Sequence, residues 1–314
     1  MSLANSPAHA GDSKLAPPVR ALRVNGVELH CVDTGTVAGE VGQTVILLHG
    51  GMGDLESWPH QVRTLSHWYR VIAYSRRHSH PNRNATARSA DVATRATTSM
   101  NGINDDADDF LALQAALGAA PSHLVGTSYG ALLALTIALR APGRVASLVL
   151  AEPPLHRWAA AADAGKPLYD GFIDAVWHAA AESFELGLPR RAMQLLIDGM
   201  WGRPIFETWP DDRVAAVMRN ASVMRQMTRA ADPFPAFERA AVARMAVPTL
   251  LLQGEHTSAL HRHVMNELGS VMCSARRVEI PFAGHSSANE NPDAFNAAVV
   301  SFVGLPRQAE ASAP

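Results

Sequence analysis

The chain has 314 residues, of which 47% are hydrophobic and 18% charged, the composition of a soluble globular protein with room for one large α/β domain carrying an insertion. Its net charge of −2 provides no broad basic face, which argues against nucleic-acid and anionic-membrane partners, and no apolar run reaches the length of a membrane span. The two cysteines, Cys31 and Cys273, have neither metal-ligand nor disulfide spacing and read as small buried hydrophobes.

Residues 1–18, ending in Pro17-Pro18, have no apolar leader core and read as a disordered tail, so a cytoplasmic location is expected. Arg20–Val24 and Val27–Val32 flank Asn25-Gly26, a strong hairpin signal. Val45–Leu48 is continuously apolar, as a strand buried on both faces should be. A helix near Ser57–Ser66, a strand at Tyr69–Tyr74, a polar irregular stretch from Ser75 to about Asn104 and a helix over Asp105–Leu117 come next. The strand His123–Val125 leads to a helix reaching about Ala141, then to the strand Val145–Leu150. From 153 to 246 the pattern turns helical and rich in Trp and Met, which reads as an inserted cap. A strand at Val247–Leu252, a helix near Ala259–Leu268, a strand at Ala275–Ile280 and a helix over Pro292–Phe302 complete the core, with a loose tail at 306–314. This alternation predicts an α/β fold with a mostly parallel sheet covered by helices on both faces, built from 19–152 and 247–305.

Chemistry concentrates in three places. Gly126-Thr127-Ser128-Tyr129-Gly130 lies between a strand and a helix, the setting of a nucleophile elbow. Glycines two residues either side of Ser128 remove side chains that would strike neighbouring elements. The turn then lifts the Ser128 hydroxyl clear and sets the Tyr129 N–H at a helix start, where a developing oxyanion is favoured. The second is the loop His49-Gly50-Gly51-Met52-Gly53, in which the Gly51 N–H is the candidate partner of Tyr129; it is not a P-loop, because no Gly-Lys-Ser/Thr follows. The third, Pro281-Phe282-Ala283-Gly284-His285, follows the last strand and places His285, one of 14 histidines, where it can take the Ser128 proton.

Together these motifs resemble the α/β-hydrolase fold superfamily, over roughly Val19–Val303. The resemblance implies an eight-stranded sheet, a serine nucleophile, a histidine after the last strand and an oxyanion hole of two N–H groups. The fold hosts many chemistries and leaves the substrate open. Its usual acid follows the penultimate strand, commonly three residues beyond a glycine; here Gln253-Gly254-Glu255-His256-Thr257 puts a threonine at that position. Glu152, ending the strand after the elbow helix, is the favoured replacement, a placement similar to that in zearalenone lactonases and haloalkane dehalogenases. Glu255 is the alternative acid.

Asp105, Asp106, Asp108 and Asp109 read as solvated or dipole-matching charges, and Arg76–His80 as a solvated loop before an anion site. The Trp and Met residues of the cap suggest an apolar cleft. The expectation is a cofactor-independent serine hydrolase with no metal, acting on a carboxylic ester or lactone with an apolar part. A carbon–carbon bond hydrolase and a ligand-binding pseudo-hydrolase are the rival readings, and a homo-oligomer is compatible with each.

Overall fold

The computed structural model describes residues 17–36, 43–82, 102–230 and 234–305. The expected tails fall outside them apart from Pro17 and Pro18, as does 83–101 of the polar stretch. Strands β1 (Val19–Val24), β2 (Val27–Asp33), β3 (Thr44–Leu48), β4 (Arg70–Tyr74), β5 (Ser122–Thr127), β6 (Val145–Ala151), β7 (Thr249–Gly254) and β8 (Arg276–Ile280) form one eight-stranded sheet in the order β1-β2-β4-β3-β5-β6-β7-β8. β2 pairs antiparallel with β1 and β4, and all other pairings are parallel. The β1–β2 hairpin turns on Asn25 and Gly26 at φ 47° and 77°, both positive as its tight two-residue turn requires.

The central strands read as largely apolar runs because both their faces are covered. Val45 and Leu47 of β3 pack with Trp58, Leu65, Phe295 and Val299 on the face covered by helices Pro59–Leu65 and Pro292–Val303. Ile46 and Leu48 point the other way, toward Phe110 of helix Gly102–Ala116 and Leu132 of helix Tyr129–Arg140. The latter helix is buried at every position from Tyr129 to Ala138, so its apolar character is not confined to one stripe. Cys31 is buried, but Cys273 is exposed just beyond helix Ala259–Val271, which corrects its reading as a buried hydrophobe.

Register brings the chemistry to one edge. Leu48 lies opposite Gly126, Thr127 opposite Ala151, Ala151 opposite Leu252, and Gly254 opposite Ile280. The loops after β3, β5, β6, β7 and β8 therefore all leave the carboxyl end of the parallel sheet, where α/β folds bind ligands. Among the described residues between β6 and β7, helices Lys166–Phe172, Ala179–Glu185, Pro189–Trp201, Asp211–Met218 and Ala221–Thr228 make up a helical cap.

The elbow glycines are required sterically. A Cβ on Gly130 would run into the Leu48 backbone of β3, and one on Gly126 would meet the Gly130 carbonyl. Backbone cannot swing aside as a side chain does, so Gly130→Ala should lower stability by about 3 kcal/mol or more. A Cβ on Gly143 meets nothing within 4 Å, and Gly143→Ala should stay within about 1 kcal/mol. Urea unfolding of both variants checks this; similar midpoints would show that the elbow tolerates a side chain.

Candidate active site

Ser128 occupies φ 51° and ψ −121°, a conformation that non-glycine residues rarely adopt, held by its own N–H donating to the Ala151 carbonyl at 2.8 Å. Glu152 immediately after β6 also has positive φ, at 48°. Its carboxylate is 1% exposed and accepts three hydrogen bonds. The Gly254 N–H donates to Oε1 at 2.9 Å, while the Thr257 hydroxyl at 2.8 Å and His285 Nδ1 at 2.7 Å meet Oε2. Burial pushes this carboxyl up, but the hydrogen bond and charge of His285 and the Gly254 N–H outweigh it and hold the group below the usual carboxylate range.

Glu255 is placed differently. Its carboxylate accepts the Phe282 N–H at 2.8 Å and so braces the His285 loop from outside. Thr257, at the position where the resemblance led an acid to be expected, instead donates its hydroxyl to the carboxylate of Glu152 one strand along. Gly254 contributes twice: its N–H binds Glu152, and a Cβ there would collide with the carbonyls of Ala283 and Gly284, so its bareness lets the His285 loop lie against β7.

Ser128 and His285 line the same mouth of the site, a cavity of about 340 Å3 that also exposes Trp201, Trp209 and Arg213. His285 is 6% exposed, and its Nε2 makes no hydrogen bond to Ser128 or to any other described residue. The ring is confined by Trp201 edge-on at 5.4 Å and by His261, tilted by 33°, at 4.2 Å. Trp201 in turn donates to Glu290 at 2.7 Å, and the other Glu290 oxygen accepts the Gly284 N–H at 2.5 Å.

The N–H groups of Gly51 and Tyr129 have no partner among the described residues, and both residues border Ser128 in a smaller inner chamber of about 50 Å3. The glycine loop rests on a buried polar frame. His49 is fully buried, donating from Nδ1 to the Gly50 carbonyl at 2.8 Å and accepting the Arg76 N–H at Nε2, 3.1 Å away. Burial first, then the Arg76 charge, keeps its imidazole far below the usual range.

The Arg76 guanidinium bonds the Gly50 carbonyl at 3.2 Å and Asp106 at 3.2 Å, and lies 4.2 Å from the Tyr129 ring centre. The Tyr129 hydroxyl donates to the same Asp106 oxygen at 2.9 Å. Arg77 makes a two-pronged pair with Asp109 at 2.7 and 2.8 Å. Asp106 and Asp109 are thus buried ion-pair partners, and Arg76 and Arg77 are neither solvated nor free for an anion. Asp105 and Asp108 are exposed, as expected.

A family model described as alpha/beta hydrolase fold matches residues 43–292. The chain belongs to the alpha/beta hydrolase fold family. Among curated relatives, RutD of Azorhizobium caulinodans, to which carbamate hydrolysis is ascribed, is 26% identical over 277 residues, covering 83% of this chain and 91% of that one. Carboxylesterase YbfK of Bacillus subtilis is 26% identical over 265 residues, 83% of this chain and 80% of that one. The solved structure of that carboxylesterase superposes with a TM-score of 0.66 at 20% identity, covering 92% of both chains. A meta-cleavage product hydrolase from Pseudomonas fluorescens gives 0.63 at 21% identity, covering 90% of this chain and 97% of that one.

Within this alpha/beta hydrolase, the sequence reading singled out neither His261 nor His156, because a helical histidine carries no local signal. His156 follows the Pro-Pro pair after Glu152, and that placement just past β6 at the active edge was its one available clue. Both are 2% exposed and line the inner chamber. His261 shares a hydrogen bond with Ser258 at 2.8 Å; burial first, then the His285 charge, pushes it down to about 3, against smaller opposing effects of Glu152 and the Met200 carbonyl. His156 is held well below the usual range by burial and by the charges of His261 and His285. Ligand atoms of Glu152, His261 and His285 lie within 4.8 Å of one another, but the first and last already bond to each other, a donor set better suited to proton transfer than to a cation.

A histidine kept neutral in the fold but protonated when unfolded below about pH 6.5 makes the unfolded chain bind more protons. Stability is then complete above that pH and falls as pH drops, by about 1.4 kcal/mol per pH unit for each such group. His156 has no hydrogen bond to lose, so His156→Phe should flatten the stability slope between about pH 6 and 5 by about that amount. Urea unfolding across this interval checks it; an unchanged slope would mean that the ring titrates normally in the fold.

Proposed function

We propose that this alpha/beta hydrolase is a cofactor-independent serine hydrolase that cleaves a carboxylic ester or lactone through an acyl-enzyme. The observation that carries this reading is the buried 2.7 Å contact between Glu152 and His285 Nδ1, which leaves Nε2 unpartnered in the cavity that Ser128 lines. A carboxylate on Nδ1 fixes the tautomer that presents a lone pair at Nε2 and stabilises the imidazolium once formed.

Ser128 Oγ attacks the carbonyl carbon as its proton passes to His285 Nε2. The tetrahedral oxyanion takes hydrogen bonds from the Gly51 and Tyr129 N–H groups. The intermediate collapses as His285 returns the proton to the leaving oxygen, and a water activated by the same Nε2 then hydrolyses the acyl-enzyme. In ligand-free enzymes the serine–histidine contact is commonly long and tightens when substrate binds.

The two cavities divide the substrate. The leaving oxygen must reach His285, which lines the mouth and not the inner chamber, so the alcohol part occupies the mouth. The acyl part extends past Gly51 and Tyr129 into the chamber of Met200, Met224, Met227, Phe172 and Trp177. No Lys or Arg lines that chamber among the described residues, and Arg213 and Arg219 in the mouth are paired with Glu290 and with Asp54 and Glu56. A free cation to hold a keto-acid carboxylate is missing from this set, which favours the ester over carbon–carbon cleavage.

A fluorophosphonate probe should label the wild type and not Ser128→Ala. With p-nitrophenyl butyrate, Glu152→Gln should lower kcat by about 10³–10⁴-fold, the scale of losing a triad's orienting carboxylate, whereas Glu255→Gln should stay within about twofold, since its carboxylate meets the Phe282 N–H. Labelling of Ser128→Ala, or full turnover by Glu152→Gln, would remove the assignment.

A further inference from the structure

The catalytic reading leaves two buried polar side chains of the inner chamber without a task. His156 is 2% exposed, and neither its Nδ1 nor its Nε2 has a hydrogen-bond partner among the described residues. Trp177 is 3% exposed, and its Nε1–H is likewise unpartnered. Both line the chamber, and Phe234 stands against each, its ring centre 4.5 Å from that of His156 and 4.9 Å from that of Trp177. Trp177 lies in the π-helical turn Ile173–His178, a rare backbone form frequent at functional sites. Buried polar groups are almost always bonded, so two unpartnered ones on residues that line the same mostly apolar chamber call for a ligand atom.

We propose that His156 and Trp177 form a specificity subsite that receives a ketone oxygen carried on the acyl part of the substrate, away from the scissile ester. The placement of the acyl part rests on the serine-hydrolase reading; the ligand chemistry rests on the groups themselves. An indole N–H only donates, and a neutral imidazole has one N–H to add beside it, so the pair matches an acceptor with two lone pairs. The ring stays uncharged because burial and the neighbouring His261 and His285 disfavour its proton. With no Lys or Arg on the chamber wall among the described residues, a carboxylate would be buried without compensation. A hydrocarbon chain would leave both donors bare, and sites built for a polar group reject such analogues strongly.

Calorimetric titration of Ser128→Ala tests this without turnover, using methyl hexanoate and its 3-, 4- and 5-oxo derivatives as ligands. At least one oxo ester should bind about tenfold or more tightly than methyl hexanoate. Adding His156→Phe should bring that ratio close to one, and His156→Gln should retain part of it. Trp177→Phe serves as the second variant if His156→Phe fails to fold. Equal binding of all four esters, no binding of any, or a preference that survives loss of both donors would overturn the subsite. Wild-type hydrolysis of p-nitrophenyl butyrate separates the two readings. A preference in Ser128→Ala without wild-type turnover keeps the subsite and loses the hydrolase, and turnover without preference does the reverse.

Discussion

A carboxylate removed from water must be met by hydrogen bonds, and Glu152 recruits its three from three different places. One comes from the last residue of β7, one from the loop beyond it, and one from the loop after β8. Since Glu152 itself ends β6, a single buried charge ties together the carboxyl ends of three adjacent strands. The same peptide region accepts the Ser128 N–H at Ala151, so the serine turn is anchored to the strand that Glu152 follows. Satisfying Glu152 and bringing Ser128 and His285 to one edge therefore go together. That coupling explains why a positive φ is tolerated at both Ser128 and Glu152: the surrounding bonds determine these conformations despite their local cost.

A second buried network does the same for the opposite wall. Asp106 receives both Arg76 and the Tyr129 hydroxyl, and Arg76 reaches on to the carbonyl of Gly50. An arginine so placed ties down the carbonyls of the glycine loop. The cap is fastened to this wall through Asn220, which is 1% exposed, donates to the Met52 carbonyl at 3.2 Å and Asp54 at 2.9 Å, and accepts the His80 N–H at 2.8 Å. The roof over the site thus shares its supports with the glycine loop, and movement of helix Ala221–Thr228 would be felt at Gly51, whose Cα faces Met224.

What the sequence made legible follows from how local each constraint is. Gly126 and Gly130 flank Ser128 because backbone lies within collision distance, and such a requirement leaves a fixed-spacing trace in the chain. The central strands announced themselves because burial on both faces demands largely apolar runs. Glu152 could be nominated from its place at a strand end, since the fold brings strand ends together. Asp106 and Arg76, by contrast, are polar residues in polar surroundings along the chain. Their burial depends on partners 30 residues apart in sequence meeting in space, and no periodicity encodes that. Thr257 shows the same limit: its residue type excludes it as an acid, and nothing local reveals that its hydroxyl donates to the buried Glu152.

The histidines divide along a similar line, with consequences for how the site handles charge. His49, His156 and His261 are all held neutral by burial, while among these four buried histidines His285 has a carboxylate on one nitrogen and an unpartnered second nitrogen. An imidazolium at His285 would find its counter-charge in Glu152 and no competing cation nearby, because the adjacent His261 ring carries no proton charge at neutral pH. A positively charged neighbour at 4.2 Å would oppose the very charge that proton transfer creates there. On the proposed reading, a neutral His261 therefore serves a base at His285 as the carboxylate does. On that reading the burial of His261, which is 2% exposed, bears on the chemistry without touching the reacting atoms.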